Sequence, residues 1–266
     1  MLDQFNRNID YLRISVTDRC NLRCVYCMPA SGIKLLPHEA ILSYGEITEV
    51  ARVAVAMGVR KVRLTGGEPL VRKHIITLVG QLSRIEGIRD FGMTTNGILL
   101  DRYAAALKNA GLHRVNVSLD TMDPAKYAEV TRGGNIHKVF EGIEAALNAG
   151  LTPVKLNCVI RDSPLEPDAV DVTRYAERKG LQVRYIKQMN LTSGSFSKVI
   201  GGEGGNCRHC NRLRLTSDGY LKPCLFSDIG YSVRELGPAQ AIELALQNKP
   251  WCGMENHSGT FYNIGG

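Results

Sequence analysis

Residues 61–69 read KVRLTGGEP: Val62 and Leu64 alternate with Lys61 and Arg63, and a Gly-Gly turn closed by Glu68 and Pro69 follows. Alternation of this kind marks an extended strand whose cations share one face. The glycines that end it let the backbone come close to a bound group. The same unit, a short β-like run followed by a chemically unusual loop and then a helix, recurs on both sides.

YLRISV (11–16) is the first strand, KVRLT (61–65) the second, DFGMTT (90–95) the third and RVNVSLD (114–120) the fourth. PVKLNCVI (153–160) and QVRYIKQM (182–189) complete six. Between them lie helical patterns. Ser43 and Glu46 form a capping box opening EITEVARVAVAMG (46–58). HIITLVGQLSRI (74–85), DRYAAALKNAG (101–111), KVFEGIEAALNAG (138–150) and DAVDVTRYAERKG (168–180) are the others. Such alternation builds right-handed βαβ units around a parallel sheet, either doubly wound or closed toward a barrel. A cysteine-rich segment follows strand one, TGGEP strand two, TTNG (94–97) strand three, and residues 118–121 strand four. Chemistry gathered at the carboxyl ends of strands favours the barrel. The expectation for residues 1–189 is an incomplete (β/α)6 TIM-like barrel, open on one side.

The pattern breaks at the Gly/Ser-rich stretch 190–206, a boundary. Residues 207–266, with a short helical segment AIELALQNKP (241–250), read as an appendage too small to hold together by apolar burial alone. A metal centre would supply the missing stability.

With 266 residues the chain can bury a full core without cross-links. Its first residues lack a signal-peptide apolar run, and no stretch is long and apolar enough to span a membrane. A cytoplasmic location is the expectation, and there thiols stay reduced. Eight cysteines are present: two triplets, plus Cys158 in an apolar run and Cys252 standing alone. The net charge of +7 comes from dispersed cations with no basic run or aromatic-rich strip. Nucleic acid is therefore not the expected partner, and a small anionic substrate is.

The first triplet, Cys20, Cys24 and Cys27 within TDRCNLRCVYCMPA (17–30), has the spacing C-x3-C-x2-C. Three close thiolates suit a cubane cluster with one iron open to a small molecule; zinc, which takes four ligands, is the alternative. The second triplet, Cys207, Cys210 and Cys224, is C-x2-C-x13-C, with His209 keeping a Cys3His zinc site open as the other reading.

The first triplet, with Tyr26 before its last cysteine and TGGEP after the next strand, resembles the radical S-adenosylmethionine (SAM) signature. CRHCNRLRLTSDGYLKPCLF (207–226) resembles the C-terminal cluster motif of the GTP 3',8-cyclase family of molybdenum cofactor biosynthesis. The resemblance runs from about residue 5 to Gly265-Gly266 and implies two [4Fe-4S] clusters and SAM. Cys20, Cys24 and Cys27 would hold the SAM cluster, with Tyr26, Gly67, Glu68, Ser118 and Met189 around the SAM. Cys207, Cys210 and Cys224 would hold the cluster that orients the purine. Arg13, Lys61, Arg63, Thr94, Lys155, Arg184, Arg212 and Arg214 would contact GTP, with Arg13, Arg212 and Arg214 as the catalytic arginines. The Gly-Gly end would reach into the active site. The implied reaction removes hydrogen from C3' of GTP and joins C3' to C8. The implied partners are an electron-donor protein, a downstream pterin-forming enzyme and a second copy of the chain. One departure stands out: where the family reads IEFMP and continues for several dozen residues, this chain reads IKQMN (186–190) and soon reaches Cys207. The shortened wall and Lys187 leave two alternatives: a paralogue acting on another nucleotide or a peptide, and an iron-sulfur or zinc protein that only binds nucleotides or carries electrons.

Overall fold

The computed structural model describes residues 1–189, 196–253 and 264. Strands and helices alternate as β1 (Tyr11–Ser15), α1 (Tyr44–Ala56), β2 (Lys61–Thr65), α2 (Ile75–Ser83), β3 (Asp90–Thr95), α3 (Leu100–Asn109), β4 (Arg114–Ser118), α4 (Pro124–Thr131), α5 (Ile136–Asn148), β5 (Lys155–Ile160), α6 (Pro167–Lys179) and β6 (Gln182–Lys187). Neighbouring strands pair in parallel in chain order. The expected capping box forms: Glu46 N–H donates to Ser43 Oγ, and Ser43 N–H donates to Glu46 Oε2 at 2.7 Å. The short helix α4 is an addition to the expected elements. Asp123 caps it by accepting from the N–H groups of Ala125 and Lys126, and Pro124 occupies its first turn.

The period-two alternation assigns the two faces of the sheet. Leu12, Ile14, Val62, Leu64, Phe91, Met93, Val115, Val117, Leu156 and Cys158 are at most 1% exposed and belong to the main core. Their alternates, including Arg13, Lys61, Arg63, Thr94, Asn116, Lys155 and Arg184, line a cavity. The apolar face therefore meets the helices, and the polar face looks into the barrel.

Beyond residue 206 the chain forms β7 (Arg212–Leu215), β8 (Tyr220–Lys222), β9 (Tyr231–Ser232), α7 (Val233–Leu236) and α8 (Pro238–Gln247). β7 pairs in parallel with β1, giving one sheet in the order β6-β5-β4-β3-β2-β1-β7-β8-β9. The segment thus extends the barrel sheet and does not stand apart as a separate appendage. Leu213, Leu215, Leu221, Ala241, Ile242 and Ala245 share the core of the barrel half, and α8 packs on α1. Among the described residues no helix is long and apolar enough to cross a membrane.

Candidate active site

The first cysteine triplet sits on the loop leaving β1, and that loop is braced from several sides. Cys27 and Met28 N–H both donate to the Cys24 carbonyl, at 2.9 and 3.0 Å, which folds Cys24 and Cys27 into one turn. Val25 N–H reaches the Val130 carbonyl at 2.9 Å, and Arg132 donates to the carbonyls of Arg23 and Met28. The added helix α4 thus ends where it fastens the loop.

The Gly-Gly turn serves the same loop. Gly67 N–H donates to the Thr17 carbonyl and Glu68 N–H to the Arg19 carbonyl, both at 2.8 Å. A Cβ on Gly67 would stand 2.2 Å from the Arg19 oxygen, and one on Gly66 2.6 Å from that of Thr17. Here the small residues admit the protein's own backbone, whereas the sequence suggests space kept for a ligand. Glu68, 1% exposed, accepts from Leu70 N–H, from Thr95 Oγ1 at 2.8 Å and from Asn96 N–H at 2.6 Å. Burial outweighs these bonds and pushes its carboxyl up to about 7. Asn96 in turn directs its amide toward Cys20 Sγ and Asn21. Tyr26 donates to Asp120 Oδ2 at 2.7 Å, and the other oxygen of Asp120 accepts from Val159 N–H. Asp120 lies two residues past Ser118, so Tyr26 and the end of β4 are linked. Burial pushes the thiols up, Cys20 to about 11 and Cys24 to about 12, with Glu68 adding to the effect at Cys20 and Asp120 at Cys24.

The cavity, about 490 Å³, brings together every predicted substrate residue: Arg13, Lys61, Arg63, Thr94, Lys155, Arg184, Arg212 and Arg214. Strand register explains the convergence. Arg214, Arg13 and Arg63 are side by side on β7, β1 and β2, with Gly92 next on β3; Arg212, Tyr11 and Lys61 form the adjacent row. Tyr11 stands between Arg63 and Arg212, whose guanidinium carbons lie 5.9 and 5.5 Å from its ring centre. Burial, joined by neighbouring cations, pulls the proton affinity of Arg63, Arg184 and Arg214 down, and that of Arg13 well down. Buried Nε atoms of Arg63, Arg184 and Arg212, and Thr94 Oγ1, have no hydrogen-bond partner among the described residues. Arg114 also lines the cavity and escaped the sequence reading, although it sits in the alternation RVNVS. It is paired bidentately with Asp90 at 2.6 and 2.8 Å.

Cys207, Cys210 and Cys224 line one end of the same cavity, and Met189 reaches that end, packing with Leu225 and Phe226. His209 is exposed. Cys252, expected to stand alone, lies 3.2 Å from Cys207, sulfur to sulfur. Arg7 holds the two segments together by donating to the carbonyls of Cys207, Pro250 and Trp251. Cys158 is fully buried in the core, as expected. Among the described residues no three His, Cys, Asp or Glu side chains close on one metal-ion position. A cube that spreads its thiolates over three irons makes no such demand, so each triplet's donor set suits a cluster.

The shortened connection covers the cavity from the side of β6. Phe196, Ser197, Val199 and Gly201 to Asn206 are part of its lining. Ile200 forms an antiparallel bridge with Tyr185, and Phe196 stacks on Phe226 with ring centres 4.6 Å apart. Lys187, at the cavity rim, pairs with Asp162 at 3.3 Å. Residues 265 and 266, expected to enter the site, lie outside the described residues.

Comparison with known proteins agrees with this arrangement. The family model described as the radical SAM superfamily matches residues 14–164. A GTP 3',8-cyclase of Thermodesulfovibrio yellowstonii is 44% identical over 282 residues, spanning 89% of this chain and 88% of the relative. One of Moorella thermoacetica is 43% identical over 286 residues, spanning 91% and 88%. Among solved structures, Streptococcus suis SuiB bound to precursor peptide SuiA superposes with a TM-score of 0.70 at 13% identity, covering 97% of this chain and 67% of that one. Methylornithine synthase (PylB) gives 0.57 at 16%, covering 70% and 55%. The structural likenesses establish the partial barrel; together with identity above 40% across most of both chains, they establish that the chain belongs to the GTP 3',8-cyclase family of the radical SAM superfamily.

Proposed function

We propose that this chain cyclises GTP, removing the C3' hydrogen and joining C3' to C8, and that the cavity holds the nucleotide with its triphosphate among the arginines. The carrying observation is the set of buried, unpartnered nitrogens on Arg63, Arg184 and Arg212, with Thr94 Oγ1 beside them. Burying such donors is costly unless acceptors are supplied, and a triphosphate brings oxygens and negative charge together. Among the described residues ten lysines and arginines line the space against two carboxylates, Asp90 and Glu203, an excess of positive charge that the phosphates would balance.

As a member of its family the chain uses SAM and two iron-sulfur clusters. Cys20, Cys24 and Cys27 would hold one cluster, with Tyr26, Gly67, Ser118 and Met189 around the SAM; Cys207, Cys210 and Cys224 would hold the other. Glu68 acts on the SAM side from within, fixing Asn96 and the turn. When bound, the first cluster and SAM supply a 5'-deoxyadenosyl radical able to take hydrogen from an unactivated carbon. What the protein adds is placement. Lys61, Arg63, Thr94, Lys155 and Arg184 grip the nucleotide by charge-assisted bonds. Arg13, Arg212 and Arg214, on adjacent strands next to the second triplet, hold the reacting end. Residues 1–189 form the SAM half and 207–266 the substrate-cluster half. An electron-donor protein, a pterin-forming enzyme that takes the product, and a second copy of the chain complete the reading, in the cytoplasm.

The test is anaerobic turnover of reconstituted protein with SAM, a strong reductant and GTP, ATP or no nucleotide. 5'-Deoxyadenosine formed in step with loss of GTP alone supports the proposal. Deoxyadenosine without nucleotide consumption moves the substrate elsewhere.

A further inference from the structure

Lys249 is 1% exposed, yet among the described residues it forms none of the ion pairs made by lysines. A buried ammonium without a counter-charge is expensive, so something must make it worthwhile. Its Nζ donates to the carbonyl of Arg212 at 2.7 Å and to that of Pro223. Cys210 and Cys224 line the same cavity as Lys249. Arg212 lies two residues after Cys210, and Pro223 immediately precedes Cys224. One ammonium thus ties together both segments that carry these cysteines. Lys249 is itself fixed from outside: Gln4 donates to its carbonyl at 2.8 Å, and Arg7 donates to the next two carbonyls.

The two cysteine triplets therefore sit in opposite electrostatic surroundings. Buried Glu68 holds Asn96, which faces Cys20, and Asp120 accepts from Tyr26 beside Cys27. Lys249 Nζ bonds the segments that carry Cys210 and Cys224, and Arg212 and Arg214 line the cavity beside them. The potential of an iron-sulfur cluster follows its hydrogen bonds to sulfur and the charge around it.

We propose that Lys249 is the positioning residue of the C-terminal cluster, bracing its ligand segments and holding its reduction potential above that of the N-terminal cluster through a buried positive charge set between the segments of Cys210 and Cys224. This rests on the reading of Cys207, Cys210 and Cys224 as cluster ligands. Lys249 need not touch GTP. Its charge makes the reduced form of the adjoining centre easier to reach, while the cation that braces the N-terminal triplet, Arg132, is exposed to solvent, so that centre stays the stronger reductant.

The experiment compares the full-length protein with Lys249→Met and Lys249→Arg after anaerobic reconstitution, by iron content and by reductive titration of each cluster's EPR signal. In Lys249→Met the C-terminal midpoint should fall by at least about 59 mV, a tenfold change in the reduced-to-oxidised ratio of a one-electron couple. The N-terminal midpoint should stay put, and Lys249→Arg should restore the wild-type value. An unmoved C-terminal midpoint, or both midpoints moving together, overturns the proposal. If Lys249→Met loses the C-terminal iron, the arginine variant decides: iron regained at the wild-type potential upholds the proposal, and iron still absent reduces Lys249 to packing. Wild-type protein with only about four irons instead fails the cluster reading itself.

Discussion

Replacing Arg63 with Met should stabilise the ligand-free protein and weaken GTP binding, two effects of opposite sign from one side chain. Arg63 is 4% exposed, stands in register with Arg13, and has a buried Nε without a partner among the described residues. Two guanidinium charges roughly 6 Å apart repel by about 3 kcal/mol at an effective dielectric constant of about 20. Against this stands the Tyr11 ring 5.9 Å away, worth about 0.5–1 kcal/mol, and part of the Asp90 charge. Methionine fills similar volume without charge, so the net gain should be about 1–2 kcal/mol, and each kcal/mol is worth about 2–4 °C in a chain of this size. A hydrogen bond to a charged group contributes about 1.5–3 kcal/mol, so GTP should bind roughly 10- to 150-fold more weakly. Thermal denaturation of the nucleotide-free protein and calorimetric titration with GTP read the two terms separately. A less stable variant with undiminished affinity would refute the reasoning, because Arg63 would then be a structural residue satisfied by the protein.

Cys24→Ala and Cys210→Ala should each lose about four irons, but only the first should abolish SAM cleavage; zinc retained in the second would count against a cluster there. Arg212→Leu should keep producing 5'-deoxyadenosine while GTP loss falls well behind it, and tight coupling in that variant would remove Arg212 from the reacting end. Glu68 makes the protein's stability depend on pH. Its folded carboxyl titrates near 7 and its ordinary value is 4.5, so between the two the folded state binds more protons than the unfolded. Stability should therefore fall as pH rises through that window, by on the order of 3 kcal/mol in all. Denaturant midpoints of cluster-free wild type and Glu68→Gln should converge toward pH 5, with the wild type losing ground by pH 8; parallel curves would refute this.

The barrel is legible in the sequence because its strands obey a rule of period two. In KVRLT and RVNVS the apolar residues meet helices and the alternates meet the cavity, so the alternation by itself marks which cations point inward. β7 is harder to read as a strand, because RLRL lies inside a cysteine motif and its parallel partner, β1, is some 200 residues earlier. Long-range pairing leaves no local mark. The same holds for Lys249 and Cys252. A lysine in NKPW looks like surface charge, and only its two carbonyl acceptors on distant segments reveal it as buried. The Gly-Gly turn is legible in position but not in detail, since no sequence shows that the nearest atoms to its missing side chains are the Thr17 and Arg19 carbonyls.

The shortened connection is the feature that most invites doubt about GTP, and its geometry turns that doubt around. A wall of few residues must lie flat against the barrel edge, and side chains would hold it off. A Cβ on Gly201 would stand 2.5 Å from the Val183 carbonyl, and one on Gly205 2.1 Å from that of Ser197; both glycines also have positive φ, +77° and +72°. Only glycine allows the segment to fold back on itself and against β6 this closely. The backbone bridge between Ile200 and Tyr185 and the stack of Phe196 on Phe226 then anchor it at both sides of the cavity. Composition that reads as a linker is thus what a minimal wall requires. The wall brings Glu203 and glycine backbone to the cavity edge alongside Phe196 and Val199, so among the described residues the arginine rows remain its dominant charge. A chamber closed this way discriminates by charge and by the reach of its strands, and a triphosphate satisfies both.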